Sequence, residues 1–178
     1  MTALTRNPTN PNFLQPNKFV LAFSRTPNLQ YFCQSVTVPG ISLSEAVITN
    51  PFVDIYSPGE KAIYDLLNVT FFVDEELQGW KEIHDWIRAM TFPERFEEYQ
   101  RLPRLNKAAG GDQTFPQFSD ASISLLSSSN KEYYRFKFHN CFPTTLSTFI
   151  MNASDSPDTV ITADATFRYE YYDIEKLF

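Results

Sequence analysis

The chain reads as a mainly β, α+β domain: a β-sandwich or barrel-like body with one flanking amphipathic helix over about residues 77–90. Three observations carry this. Seventeen Phe and nine Tyr favour strands over a helical bundle. Apolar residues recur mostly at every second position, the period of a strand. One segment, residues 65–93 (DLLNVTFFVDEELQGWKEIHDWIRAMTFP), changes from that period to the helical one. A length of 178 residues fits a single body over 18–178, preceded by an extended arm over 1–17.

The arm carries Pro8, Pro11 and Pro16 among Asn and Thr, with no pattern for burying a core. Phe19, Leu21 and Phe23 then alternate with Lys18, Val20 and Ala22, which predicts a strand. A turn around Pro27 and a second strand over 31–38 complete an expected hairpin, ended by Pro39-Gly40. Residues 46–56 are extended, with Pro51 marking a bend or an exposed edge. Ser57-Pro58-Gly59-Glu60 carries turn residues. Leu67, Val69, Phe71 and Val73 form one face of the next strand. Asp74 is the expected helix N-cap, with Glu75 and Glu76 near the positive end of the helix dipole. The helix stripe is Leu77, Trp80, Ile83, Trp86, Ile87 and Met90, and Pro93 is its expected stop.

Beyond it, 94–107 is a mixed-charge run able to form a short helical turn, and 108–116 (AAGGDQTFP) is a loop. Strands are expected over 121–126 and 134–139, with a turn over 127–131 and Cys141-Phe142-Pro143 closing the second. Residues 146–152 are a further strand candidate, followed by a turn over 154–158. The last strand, 160–172, would span about 43 Å at roughly 3.3 Å per residue. Its polar set is Thr162, Asp164, Thr166, Arg168 and Glu170. The opposite set includes Phe167, Tyr169 and Tyr171, expected to pack inward. So long a strand with one wet face calls for pairing partners along its length, which sister copies closing a barrel would supply.

The net charge of −6 argues against a surface that grips nucleic acid through its phosphates. Residues 1–44 hold Arg6, Lys18 and Arg25 and no acid. From residue 153 onward six acids face two bases, a polarity suited to one subunit meeting the next. Cys33 and Cys141 are read as free thiols. No apolar run suggests a signal peptide or a membrane span. Asn68-Val69-Thr70 and Asn152-Ala153-Ser154 match the glycosylation pattern by coincidence. His84 and His139 lack zinc-ligand spacing, and the five glycines form no phosphate-cradling loop. Glu75, Glu76, Glu82 and Asp85 read as solvated charges. No catalytic, cofactor-binding or metal-ligating residue is expected, nor an enzyme.

Several segments together resemble the tail-tube family of contractile-tailed phages of the T4 type. They are FCQSVTVPG (32–40), SPGE (57–60), LNVTFFVDE (67–75) running into WKEIHDWI (80–87), FPTTL (142–146) and DATFRYEYYDI (164–174). The strand–VDE–Trp helix unit and the length are most similar to the tube terminator (tail completion) members. The resemblance implies a hexameric ring that caps or continues the tail tube and lets DNA pass without specific binding. Thr162, Asp164, Thr166, Arg168 and Glu170 would then face the lumen. Implied partners are tube subunits and neck or sheath-terminator proteins, in a virion assembled in the host cytoplasm. The alternatives are a main tube subunit or a baseplate-proximal tube protein, and, from another class, a small-ligand β-barrel whose aromatics line a pocket.

Overall fold

A computed structural model describes residues 12–91, 117–154, 156 and 158–177. Its elements are β1 (Phe19–Phe23), α1 (Pro27–Tyr31), β2 (Cys33–Thr37), β3 (Ile41–Ile48), β4 (Ile55–Tyr64), β5 (Leu67–Phe72), α2 (Gln78–Thr91), β6 (Ser119–Leu126), β7 (Glu132–Leu146), β8 (Thr162–Arg168) and β9 (Tyr171–Lys176). The structure is mainly β with a flanking helix, as the alternation predicts.

β7 is the spine. Its first part pairs antiparallel with β6 and β9, and its last residues, from Phe142, pair with β8. Asn140, at φ 55°, sits where the strand passes from one set of partners to the other. The strands therefore form two sheets sharing β7: β1-β6-β7-β9 and β7-β8-β5-β2. A separate two-stranded sheet, β3-β4, stands apart from them.

The core collects the inner faces of both sheets and one stripe of α2. Leu67, Val69 and Phe71 meet Ala163, Ala165 and Phe167 from the second sheet, with Phe23, Ile123 and Phe138 from the first and Ile83 and Trp86 from the helix. Phe23 and Phe167 lie 4.7 Å apart between ring centroids. The Trp86 ring lies 6.4 Å from Phe167 and carries the Arg25 guanidinium 4.6 Å above it. The Trp86 indole N–H donates to the Gln117 carbonyl at 3.0 Å, so its polar handle is satisfied inside the core.

Of the expected helix stripe, Ile83 and Trp86 are buried, while Trp80, Ile87 and Met90 pack half-buried against the core. Leu77 is not in the helix. It adopts φ 55° just before Gln78 and is 38% exposed. Leu77, not Asp74, holds the N-cap position, its carbonyl taking the Lys81 N–H at 2.9 Å; Asp74 caps the helix from three residues earlier, its carboxylate accepting from the Gln78 N–H at 2.9 Å and the Gly79 N–H at 3.2 Å. Glu75 and Glu76 precede the helix rather than occupying its first turn.

Four strand expectations are corrected. The first two strands do not form a hairpin: the turn at Pro27 is the short helix α1, and β1 and β2 pair with β6 and β5. Ser57-Pro58-Gly59-Glu60 is not a turn but part of β4, with Pro58 opposite Glu45 beside a bulge. Among the described residues β4 has a ladder on one side only, so a proline without an N–H is tolerated there. β7 continues through Pro143 to Leu146, and residues 147–152 are not a strand. The closing strand is broken at Tyr169–Glu170 into β8 and β9. The expected stop at Pro93, the run 94–107, the loop 108–116 and arm residues 1–11 lie outside the described residues.

α1 and α2 are joined through Glu82. Its Oε1 accepts from the Asn28 side chain at 2.7 Å, while its Oε2 is buried without a hydrogen-bond partner, near the backbone N–H groups of Asn28 and Leu29. Burial pushes the Glu82 carboxyl above its ordinary range, the Asn28 hydrogen bond opposing it.

Two measurements check this account. Trp86→Ala should lower unfolding free energy by about 3–5 kcal/mol in denaturant titrations, the cost of an emptied aromatic site. For Glu82, an acid with a raised folded pKa, the folded state holds its proton more tightly than the unfolded state does. Its contribution is therefore present below the unfolded pKa and lost as pH rises through the folded one. Glu82→Gln, which keeps an acceptor, should show a smaller decline in stability than wild type across that rise.

Candidate assembly surfaces

The second sheet has one dry face and one wet face. Along β8, Ala163, Ala165 and Phe167 are buried, whereas Thr162, Asp164 and Arg168 are exposed and Thr166 is half-buried. Asn68 and Thr70 of β5 stand opposite Thr166 and Asp164 on that wet side. Thr70 donates to Asp164 at 2.7 Å, and Thr166 donates to Asn68 Oδ1 at 3.1 Å. The result is a ladder of hydroxyl, amide and carboxylate groups across the sheet. Four of the five residues expected on the polar set therefore share one face. Glu170 does not: it lies in the bend between β8 and β9, where Asn140 donates to it at 2.6 Å.

Of the aromatics expected to pack inward, Phe167 is buried and Tyr169 is half-buried. The Tyr169 hydroxyl donates to the Asp65 carbonyl at 2.8 Å. Tyr171 departs from the expectation. It is exposed and stacks on His139 at 4.6 Å, because the break at 169–170 resets the alternation. Cys141 is buried and Cys33 half-buried, both free. Burial pushes their thiols up, Cys33 to about 11 and Cys141 to about 12, so neither is a ready nucleophile.

The C-terminal ribbon is also paired differently from expectation. β8 is hydrogen-bonded on both sides, by β5 and by the end of β7, within one copy of the chain. The edges left without a strand partner among the described residues are elsewhere. They are β2 and the last part of β7 in the second sheet, and β1 and β9 in the first.

The feature that sequence patterning missed is the β3-β4 hairpin. Ile41, Leu43, Val47 and Ile48 on β3 and Ile55, Tyr56 and Ile63 on β4 are all exposed, and Phe52 at the tip is 95% exposed. Its base is anchored by the Asp65 N–H on the Gly40 carbonyl at 3.1 Å, and Tyr64 packs edge-on to Tyr169 and Tyr172. The rest contributes nothing to the core. At the other end of β5, the β7-β8 connection presents Ile150, Met151 and Val160, all exposed. Among the described residues no group of three or more His, Cys, Asp or Glu side chains is placed to hold a metal ion.

A sheet with one wet face and open edges, beside an apolar hairpin outside the core, defines a structural β-protein of the assembling kind. The family model for phage tail tube protein matches residues 9–175, and the chain belongs to that family. The tail tube terminator protein of Enterobacteria phage T4 is 28% identical over 147 residues, covering 80% of this chain and 76% of that one. The fold is shared with a protein in the sheath-tube complex of an extracellular contractile injection system, PVC, in its extended state (TM-score 0.64, 14% identity, 94% of each chain). It is shared with the anti-feeding prophage tube terminating cap (TM-score 0.64, 13% identity, 99% of each chain). A third is from the PVC sheath/tube terminator (TM-score 0.60, 15% identity, 93% of this chain and 99% of that one). The role of this chain is accordingly structural and tied to a phage tail tube.

The hairpin offers a direct check. A Cβ at Gly59 would collide with Ser44 Oγ and lie 2.6 Å from the Ser44 carbonyl oxygen, so the partner backbone must move. Gly59→Ala should speed tryptic cleavage at Lys61 by roughly tenfold, a loss of about 1.4 kcal/mol of local pairing. The midpoint of global unfolding should stay where it is.

Proposed function

We propose that the chain assembles into a ring of six copies that caps a contractile-tail tube as its terminator. The wet face of the second sheet lines the lumen, and DNA passes through without specific binding. The observation that carries this reading is the shape of that sheet. It has four strands, one polar face, and an unpaired edge at each side among the described residues, β2 at one and the end of β7 at the other. Edge-to-edge pairing of copies would join the sheets into one barrel and remove edges that otherwise invite aggregation. A ring is the closed form of such a head-to-tail contact.

Other features support it. Apart from Asp164 and Arg168, the paired wet positions on β5 and β8 carry hydroxyl or amide groups, or Phe72 at the rim. Such a face with an acidic chain around it gives phosphates no reason to stick. The apolar hairpin at one end of β5 and the apolar β7-β8 connection at the other give the ring two distinct axial surfaces for neighbours in the tail. The T4 relative bears the name tail tube terminator, and the overall length and fold match tube-cap proteins over nearly their whole chains. On this reading the protein is a virion component, assembled in the host cytoplasm with tube subunits and with neck or sheath-terminator proteins. A main tube subunit is the second reading, favoured by the fold shared with the sheath-tube complex.

Negative-stain images of the purified protein should show single six-fold rings. Long tubes would move the assignment to the tube subunit, and monomers throughout would defeat both readings. A second experiment addresses the lumen. Thr162→Lys with Asp164→Lys should give rings that retain short duplex DNA in a salt-sensitive manner, while wild-type rings retain none. If lysines at these two positions change nothing, the wet face of β8 does not line the passage.

A further inference from the structure

Among the described residues β1 is the outermost strand of the first sheet, and its unpaired edge borders a groove of about 810 Å³. Phe19 and Leu21 contribute from β1, Gln30 and Tyr31 from α1, and Cys33 and Gln34 from the start of β2. Among the described residues the lining contains no acid and no base. Tyr31 is 82% exposed, an aromatic ring at the wall with little cover. The N-terminal arm reaches the rim of the same groove, since Pro16 and Asn17 also line it. Just beyond the rim, Phe13 and Leu14 stand 95% and 67% exposed. Two large apolar side chains thus lie next to an uncharged, amide-walled groove without lining it.

The chain cannot close this gap with its own arm in the simplest way. The Lys18 N–H donates to the Gln15 carbonyl at 3.2 Å, closing a turn with Pro16-Asn17 at its centre. A two-residue hairpin that zips onto a strand uses the mirror-image turns, which need positive φ at the first central position. The Pro16 ring fixes φ near −65°, so this turn splays its two arms apart instead of pairing them. Residues 12–15 contain no proline and can themselves donate along a strand edge.

We propose that the groove receives the arm of a second copy, with residues 12–15 added as a strand along the outer edge of β1 and an apolar side chain of Phe13 or Leu14 seated against Tyr31. This rests on the reading that copies assemble. It assigns their contact to a specific pair of segments. The arm and the groove suit each other in chemistry as well as in placement. The arm is free of acids and rich in Asn, Thr and Pro, and the amides of Gln30 and Gln34 can bond a backbone that crosses them.

The native Cys33 makes the contact testable. Phe13→Cys places a thiol on an exposed arm position without touching the core, and the assembled full-length protein is oxidised with copper–phenanthroline. Dimers and higher multimers on a non-reducing gel, abolished by Cys33→Ser, are expected. A faster-migrating monomer would mean that the arm folds onto its own groove, and dimers that survive Cys33→Ser would mean arm-to-arm contact. Either result overturns the proposal, as does the absence of any cross-link when Tyr31→Cys, on the exposed wall of the groove, replaces Cys33 as the acceptor thiol. Images of the same sample judge the ring separately: rings that form without a disulfide between the substituted arm and either acceptor thiol would leave the ring reading standing and this contact refuted.

Discussion

One continuous ladder governs the molecule, the pairing of β7 with the C-terminal ribbon. Phe142 faces Arg168, His139 faces Tyr171 and Tyr134 faces Lys176, so β8 and β9 meet β7 in a single register across the break at 169–170. A strand pair this long twists strongly if it stays flat-paired. Here both members bend together, β7 at Asn140 with its positive φ and the ribbon at Tyr169–Glu170, and the Glu170 N–H closes the corner on the His139 carbonyl at 3.0 Å. The bend lets the same two strands serve two sheets. Phe138 on one side of the corner and Cys141 and Phe167 on the other then face a common core.

The corner also decides what remains open. β8 is paired on both sides, by β5 and by the end of β7, so this half of the ribbon leaves nothing open. Among the described residues the open backbone lies at the margins, β9 included, and the open apolar surface lies on β3-β4, which the core never uses. Gly59 shows how tightly that hairpin is drawn. Its missing Cβ lets β4 approach the Ser44 backbone at the bulge, so an element outside the core still has a defined pairing.

Much of this was legible in the residues, and the losses have physical causes. The change from period two to period 3.6 at Asp74 marked β5 and α2 because one face of each is buried and the other wet. The polar set of the last strand was legible for the same reason, as far as Arg168. The alternation then misled, because a bend adds residues that belong to neither face, and Tyr171 emerged on the wet side. SPGE looked like a turn because proline and glycine have two uses: they make turns, and they also occupy a bulged strand with one bare edge. The hairpin was hard to see since both its faces carry apolar groups, a pattern that signals burial in a lone chain. The shared register of β7 with the ribbon involves no local signal at all.

The two outer faces of the body differ in how their charges are arranged. On the first sheet, Lys137 pairs with Glu175 at 2.7 Å, His139 meets Asp173 at 3.1 Å, and Arg135 is tied to Glu132 and to Ser124. Each base is matched to an acid across the β7-β9 pair or along β7. These are exposed pairs, individually of little worth to stability. Their value lies in specificity, since a lattice of alternating charge accepts only a surface with the opposite lattice. A phosphate backbone approaching it would compete for Arg135 and Lys137 and find purchase. The hydroxyl and amide ladder of the second sheet offers mainly neutral donors already engaged with neighbours, with Arg168 alone as a base on β8. On the reading proposed above, a passage for DNA is better walled by the second surface and a contact with a protein partner better served by the first, and the contrast between them follows from which residues the corner at Asn140 sends to each side.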